Sequence, residues 1–208
     1  MFEWLSKSLP RRMADMSAAY DGGKMQTRGL FAGTRIATVM GWRPVEALAA
    51  GDMVLTFDAG LQKLLEIRRD TFWVANMMVP ATFAAVFVPA GALGNSSDLE
   101  LLPDQGVLIE SEAACDFNGD PFAVVPAKSL AGFHGITRIA PRTQIEVITL
   151  VFAEEQVIYA EGGALIHCPL IHLPLDQLGQ VIAGYDVVPA RDAAPLIASM
   201  FVEDTMVA

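Results

Sequence analysis

Three potential metal ligands lie close together near the C-terminal end of the sequence. His167, Cys168 and His172 fall within six residues. Imidazole nitrogen and thiolate sulfur are the usual ligands of zinc in proteins, but a structural site normally has four ligands in two paired motifs. Only the distant Cys115 could supply the fourth. We therefore predict that these three residues are buried or edge residues of a terminal segment, and we expect neither a bound metal nor another cofactor.

The charge and the cysteine content indicate where such a chain works. With 14 Lys and Arg against 24 Asp and Glu, the acidic surface disfavours nucleic acid, whose phosphates require cations. Cys115 and Cys168 form no CxxC pair, which is typical of free thiols in a reducing compartment. The longest apolar stretch, 72–93, is interrupted by Asn, Pro and Gly, so it predicts buried strands and no membrane span. We expect a soluble, cytoplasmic protein.

Short apolar or alternating runs between turn signals fill the middle of the chain and predict a mostly β domain. Two of these runs, 145–152 and 156–160, are close enough to pair as a hairpin. Asn118-Gly119 has the residue types of a two-residue hairpin turn. The predicted strands are residues 35–40, 52–57, 106–109, 122–125, 145–152 and 156–160.

The two ends of the sequence have helical patterns. Near the N-terminus, apolar residues recur every three or four positions, which predicts a helical arm over 1–28 packed on the main domain. The apolar positions of this stripe are Phe2, Leu5, Leu9, Met13, Met16 and Tyr20. A tail over 166–208 follows the main domain at 29–165 and contains a predicted helix at 193–201, with Pro195 in its first turn.

Three collinear blocks resemble the bacterial Hint (hedgehog/intein) family over roughly residues 29 to 165. The first block comprises FAGTRIAT at 31–38, GWRPVEAL at 41–48 and GDMVLT at 51–56. The second comprises PAGALGN at 89–95 and LLPDQGVLI at 101–109. The third comprises VVPAK at 124–128, VITLVF at 147–152 and YAEG at 159–162. The resemblance implies a Hint-like β fold.

The resemblance implies that active members cleave their own backbone. A Cys attacks the carbonyl of the residue before it. A Ser or Thr, together with a His three residues later, holds the scissile amide and protonates it. Leu30 stands where the family has that Cys, Leu102 where it has Ser or Thr, and Gln105 where it has His. Leucine carries no lone pair, and the amide of glutamine does not titrate near neutral pH. We therefore expect no enzymatic activity and regard the three positions as vestigial.

Three hypotheses about function remain. The first, which the missing triad favours, is an inactive Hint scaffold reused as a protein-binding or structural module, with a protein partner or a homo-oligomer. The second is an enzyme: a self-cleaving domain whose nucleophile lies elsewhere, or a metal-dependent enzyme that uses His167, Cys168 and His172. The third is a carrier that holds an apolar small molecule in a pocket lined from the Phe72 to Phe87 region.

Overall fold

Fourteen strands and one α-helix are present in the computed structural model, which describes residues 27–73, 84–115, 120–140, 144–171 and 184–207. The strands are β1 (Leu30–Phe31), β2 (Arg35–Thr38), β3 (Gly41–Pro44), β4 (Met53–Thr56), β5 (Gly60–Lys63), β6 (Glu66–Trp73), β7 (Ala85–Val88), β8 (Leu99–Leu101), β9 (Gly106–Glu110), β10 (Phe122–Pro126), β11 (Thr137–Ile139), β12 (Gln144–Val151), β13 (Gln156–Ala160) and β14 (Ala164–Cys168). Short 3-10 turns occur at Val45–Ala47, Glu112–Ala114, Ala127–Leu130 and Phe133–Gly135, and helix α1 comprises Ala194–Val207.

The strands form two antiparallel sheets. The first sheet has the order β11-β7-β8-β1-β12-β6. The second has the order β10-β9-β14-β13-β2-β4-β5, with β3 added to β2. Strand β1 is only two residues long, but it lies between β12 and β8 and is buried on both sides. The chain just before β1 is thereby held at the centre of the first sheet.

The core is made of aliphatic side chains that come from both sheets. Strands β9, β10, β13 and β14 each contain three consecutive buried residues, as expected for strands covered on both faces. Helix α1 completes the core with Leu196 and Ile197, while the hydroxyl of Ser111 donates a hydrogen bond to the Leu196 carbonyl. The C-terminal part of the chain therefore packs on the β domain.

The structure confirms the mostly β fold and the C-terminal helix. One expected pairing is wrong, because the runs at 145–152 and 156–160 do not form a hairpin. Strand β12 pairs with β1 and β6 in the first sheet, whereas β13 pairs with β14, β2 and β4 in the second. The link 152–155 carries the chain from one sheet to the other, a crossing that local spacing does not encode.

Two further expectations concern residues outside the described ranges. The helical arm falls almost entirely on residues 1–26, and the Asn118-Gly119 turn falls on 116–119. Strands β9 and β10, which flank that turn, do pair as expected, with Phe122 opposite Glu110. Within the described residues, no helix is both long enough and apolar enough to cross a bilayer.

Candidate functional site

A cleft of about 520 Å³ opens where the chain approaches β1. Its walls are the segment leading into β1, the turn between β8 and β9, the middle of β12, the end of β14 and the segment that precedes α1. Its lining includes Gly29, Leu30, Gln105, Thr149, Glu155, His167, Cys168 and Val187. Two of the three positions singled out by family resemblance, Leu30 and Gln105, thus meet two candidate metal ligands, His167 and Cys168, in one place.

Gln105 is the central side chain of this cleft, and it is buried. Its Oε1 accepts a hydrogen bond from the Gly29 N–H at 2.8 Å. Its Nε2 donates to the His167 carbonyl at 2.8 Å and to the Gly106 carbonyl at 3.1 Å. Because only the oxygen of an amide accepts and only its nitrogen donates, these neighbours fix its orientation. Gln105 therefore ties together three segments that are remote in sequence.

The turn that carries Gln105 is itself fixed to its surroundings. The Gln105 N–H donates to the Leu102 carbonyl, and the Asp104 N–H donates to the Thr27 carbonyl at 2.9 Å. The Lys128 ammonium lies 2.6 Å from Asp104 Oδ1. These contacts leave the Gln105 side chain little freedom to move away from Gly29.

The residue that faces Gln105 has no side chain and no room for one. Gly29 has φ +119°, a backbone conformation that L side chains rarely adopt. A Cβ on Gly29 would lie 2.5 Å from Val147 Cγ1. A nucleophilic side chain at position 29 would therefore require both backbone strain and displacement of the Val147 side chain on β12.

Leu30 and Leu102 both lie in apolar surroundings. Leu30 belongs to the main core and pairs in register with Ile148 on β12 and Leu101 on β8. Leu102 belongs to a separate cluster, whose other buried members are Phe31, Ala85, Ile145 and Val147. Gln105 is hydrogen-bonded to the N–H of Gly29, the residue before Leu30.

Glu155 is a site residue that the sequence analysis missed. Its Oε1 contacts His167 Nε2, and its Oε2 accepts a hydrogen bond from the Tyr185 N–H at 3.3 Å. The ring of Tyr185 meets that of His167 edge to face, with centroids 6.0 Å apart. No motif marks Glu155, because only the register of β13 and β14 brings position 155 beside position 167.

Burial determines the protonation of the two candidate ligands. Removal from water lowers the pKa of His167, and the neighbouring Glu155 carboxylate opposes this without reversing it. Burial raises the pKa of the Cys168 thiol to about 12. A thiol with such a pKa is almost fully protonated at neutral pH and is therefore a poor nucleophile. His172 lies outside the described residues, among which no group of three His, Cys, Asp or Glu side chains is arranged to hold a cation.

The apolar segment at 72–88 is only partly described. Its centre, 74–83, and the side chains of Phe72 and Trp73 lie outside the described residues. Of the remainder, Ala85, Val86 and Val88 are buried, and Val86 and Val88 are members of the main core.

Comparison with known proteins gives one family. A family model described as a Hint domain matches residues 29–165. Among solved structures, a splice-inactive variant of the AceL NrdHF class 3 split intein is 16% identical, with 69% of this chain and 99% of that chain covered at a TM-score of 0.45. A bacterial intein-like domain from Clostridium thermocellum is 13% identical, with 67% and 98% covered at a TM-score of 0.40. The gp41-1 intein is 12% identical, with 67% and 97% covered at a TM-score of 0.41. None of the curated protein sequences matches the chain.

Proposed function

The chain belongs to the Hint domain family, and we propose that it is a member that does not cleave its own backbone and serves as a protein-binding or structural module. The observation that carries this proposal is the bridge from Gly29 N–H through the Gln105 side chain to the His167 carbonyl. An acyl shift needs a nucleophile next to the bond that breaks and an acid that protonates the leaving nitrogen. At this site a neutral amide bridges the segments instead.

The proposal does not depend on which of two residues occupies the position of the nucleophile. The sequence pattern points to Leu30, whereas the contact of Gln105 points to Gly29. Neither an isobutyl group nor a hydrogen atom has a lone pair with which to attack a carbonyl. Among the described residues that line the cleft, Cys168 is the only one with a thiol, and its pKa of about 12 keeps it almost fully protonated at neutral pH.

Packing also supports a scaffold role over an enzymatic one. Leu30 and Leu102 are 3% and 4% exposed. Burying a leucine side chain contributes about 1.5 to 3 kcal/mol, whereas a buried hydroxyl without a partner costs about 1 to 3 kcal/mol. At these two positions the chain has side chains that stabilise the fold, whereas the resemblance implies a Cys and a Ser or Thr in self-cleaving members.

One observation favours the self-cleaving alternative. The hydroxyl of Thr149 is buried at the cleft and has no hydrogen-bond partner among the described residues. A Cβ on Gly29 would lie 3.4 Å from this Oγ1. If the nucleophile came from a neighbouring strand, Thr149 would be that residue.

Intact mass of the full chain tests the proposal. The protein is expressed with a tag at each end, purified, and incubated with and without a thiol or hydroxylamine. We expect the full-length mass in every sample, because no thioester or ester forms for these reagents to intercept. A fragment that begins at residue 29, 30 or 31 would overturn the proposal. If that fragment disappeared in Thr149→Val, the self-cleaving alternative would replace it.

A further inference from the structure

Five large apolar side chains are exposed together on the second sheet, and we call them the outer patch. Met40 is 79% exposed, Val39 60%, Trp42 45%, Leu61 42% and Leu55 39%. They lie on β3, β4 and β5 and at the turn that joins β2 to β3.

Strand register places Trp42, Leu55 and Leu61 in one row, with the buried Ala37 between Trp42 and Leu55. Trp42 is opposite Ala37, and Leu55 is opposite Leu61. Because Thr38 is opposite Val54 in the antiparallel pair β2–β4, Ala37 lies beside Leu55. Cross-strand neighbours project from the same face, so these four residues form a single row across four strands. The alternate residues Ile36, Val54 and Thr56 face the core.

The area of the outer patch is comparable to that of the largest apolar patch on a typical monomer, which is often a functional surface. From their exposed fractions, the five side chains present about 500 Å² of accessible surface, which is near the upper end for the largest apolar patch of a monomer. Two such patches in contact would remove about 1,000 Å² from water, which is the least that a specific interface usually buries.

The charges around the outer patch favour a partner without strong charge. Arg35 lies 3.4 Å from Glu161, and Lys63, two residues after Leu61 on the same face of β5, is exposed. An exposed ion pair contributes about 0 to 1 kcal/mol, so a strongly acidic partner would gain little from Lys63. A second copy would bring an equally apolar surface. The net charge of −10 on each chain makes two copies repel each other, but this repulsion acts through solvent, where salt screens it.

We propose that the outer patch is the face at which a second copy of this chain binds, in an isologous contact that places the same row of residues on both sides. This inference names the partner for the protein-binding role proposed above and rests on that role. It assigns Trp42 as the central anchor, since a large aromatic side chain with little conformational freedom contributes most at interfaces of this kind.

Sedimentation velocity of the full chain, from about 1 to about 200 μM, tests the inference. We expect reversible dimerisation in the micromolar range, because an interface of minimal size gives weak association. Raising the salt concentration should strengthen the dimer, since it screens the repulsion between two acidic chains. An ion-paired interface would weaken instead. Trp42→Ser and Leu61→Ser should each weaken the dimer at least tenfold.

Val187→Ser is the matched control. Val187 is 50% exposed and lies beside β10, at the opposite edge of the second sheet from β5. This variant should dimerise like the wild type. A wild type that stays monomeric at the highest concentration, or a dimer that Trp42→Ser and Leu61→Ser leave unchanged, would overturn the inference.

Oxidation of Met40 by dilute peroxide, followed by peptide mass spectrometry, identifies what covers the patch. We expect Met40 to be protected only at concentrations where the dimer forms. Protection in a monomer would mean that another part of the same chain covers the patch, and it would also overturn the inference. Intact mass, measured on the same samples, separates this failure from that of the proposed function: a full-length monomer contradicts dimerisation alone, whereas a cleaved chain contradicts the inactive scaffold.

Discussion

Gln105 accepts a hydrogen bond from the backbone N–H of Gly29 at 2.8 Å, across 76 residues of sequence. The same side chain donates to the carbonyl of His167, a further 62 residues along the chain. One amide thus joins the segment before β1, the turn before β9 and the last strand of the second sheet. The resemblance implies an acid at this position in active members, whereas the Gln105 amide has hydrogen bonds to three segments, and we call this set of contacts the clamp.

The first prediction concerns the stability that this clamp contributes. Gln105→Met keeps the length of the side chain but leaves the Gly29 N–H and the His167 carbonyl without partners. Each buried polar group that loses its hydrogen bond costs about 1 to 3 kcal/mol, so we expect the free energy of unfolding to fall by about 2 to 4 kcal/mol. Urea denaturation followed by circular dichroism gives this value.

Gln62→Met serves as the control for Gln105→Met. Gln62 also donates from its amide to a carbonyl, that of Ala59, but this hydrogen bond is exposed to solvent. Water replaces the lost contact, so the change should cost less than about 0.5 kcal/mol. Equal losses in the two variants would show that the clamp contributes nothing special.

The second prediction concerns the absence of a side chain at position 29. Gly29→Ala places a Cβ 2.5 Å from Val147 Cγ1 on a residue whose φ is +119°. Gly33→Ala is the matched control, because Gly33 has φ +95° and open space where its Cβ would lie. Both variants carry the backbone strain of about 1 to 2 kcal/mol, and only the first adds a clash.

We expect the free energy of unfolding to fall by about 1 to 3 kcal/mol more in Gly29→Ala than in Gly33→Ala. Thermal denaturation of both proteins beside the wild type measures the difference. If the two variants lost the same free energy of unfolding, the Val147 side chain on β12 would move aside without cost. A nucleophilic side chain could then be placed at position 29.

Much of the fold could be predicted from the sequence, because strand periodicity and turn residues are local signals. The predicted run at 106–109 is β9, that at 122–125 is the core of β10, and that at 156–160 is β13 with the same ends. The pairing of 145–152 with 156–160 was wrong because both runs are apolar enough for either sheet. Periodicity identifies a strand but does not say which neighbour it takes.

The site could be predicted only where a family pattern marked it. Leu30 and Gln105 were found by position within motifs, and the cleft does contain both. Glu155 was not found, because its position after Phe152-Ala153-Glu154 belongs to no motif that would predict a contact with His167. The contact of Gln105 with Gly29, one residue before Leu30, was also not predictable, since it depends on how the chain turns into β1.

The third prediction concerns the pH dependence that His167 imposes. Its pKa is lowered in the folded protein, chiefly by burial, so below about pH 6.5 the unfolded chain binds a proton that the folded chain resists. The free energy of unfolding should therefore be unaffected by this group above pH 6.5. It should fall as the pH decreases from there through the lowered pKa of the folded state.

Urea denaturation between pH 7.5 and 5 tests this in wild type, His167→Asn and His134→Asn. We expect a shallower loss of stability with falling pH in His167→Asn, because the group responsible is gone. His134→Asn is the control: His134 has φ +40°, a conformation that asparagine tolerates well, so its backbone should be kept. If the two variants follow the same pH curve as the wild type, His167 is not the group that titrates.

The fourth prediction concerns the segment that closes the cleft in front of α1. Glu155 Oε2 accepts from the Tyr185 N–H, and the segment is then hydrogen-bonded to β10 through Val124, which donates to the Asp186 carbonyl and accepts from Val188. Glu155→Ala removes the first of these contacts and leaves His167 without its partner. We expect residues 184–190 to separate from the cleft more often, because the Glu155 carboxylate connects the Tyr185 N–H to His167 on β14.

Hydrogen exchange read by mass spectrometry on peptides covering 184–190 measures this opening. Exchange should become about three to ten times faster in Glu155→Ala, which corresponds to a loss of about 1 kcal/mol in local stability, as expected for one long hydrogen bond that is partly exposed to solvent. Glu154→Ala is the matched control, since Glu154 is the exposed neighbour and should leave these amides unchanged. Peptides from β12 should exchange equally in all three proteins, which separates local opening from general destabilisation. Unchanged exchange at 184–190 in Glu155→Ala would show that pairing with β10 alone holds the segment closed.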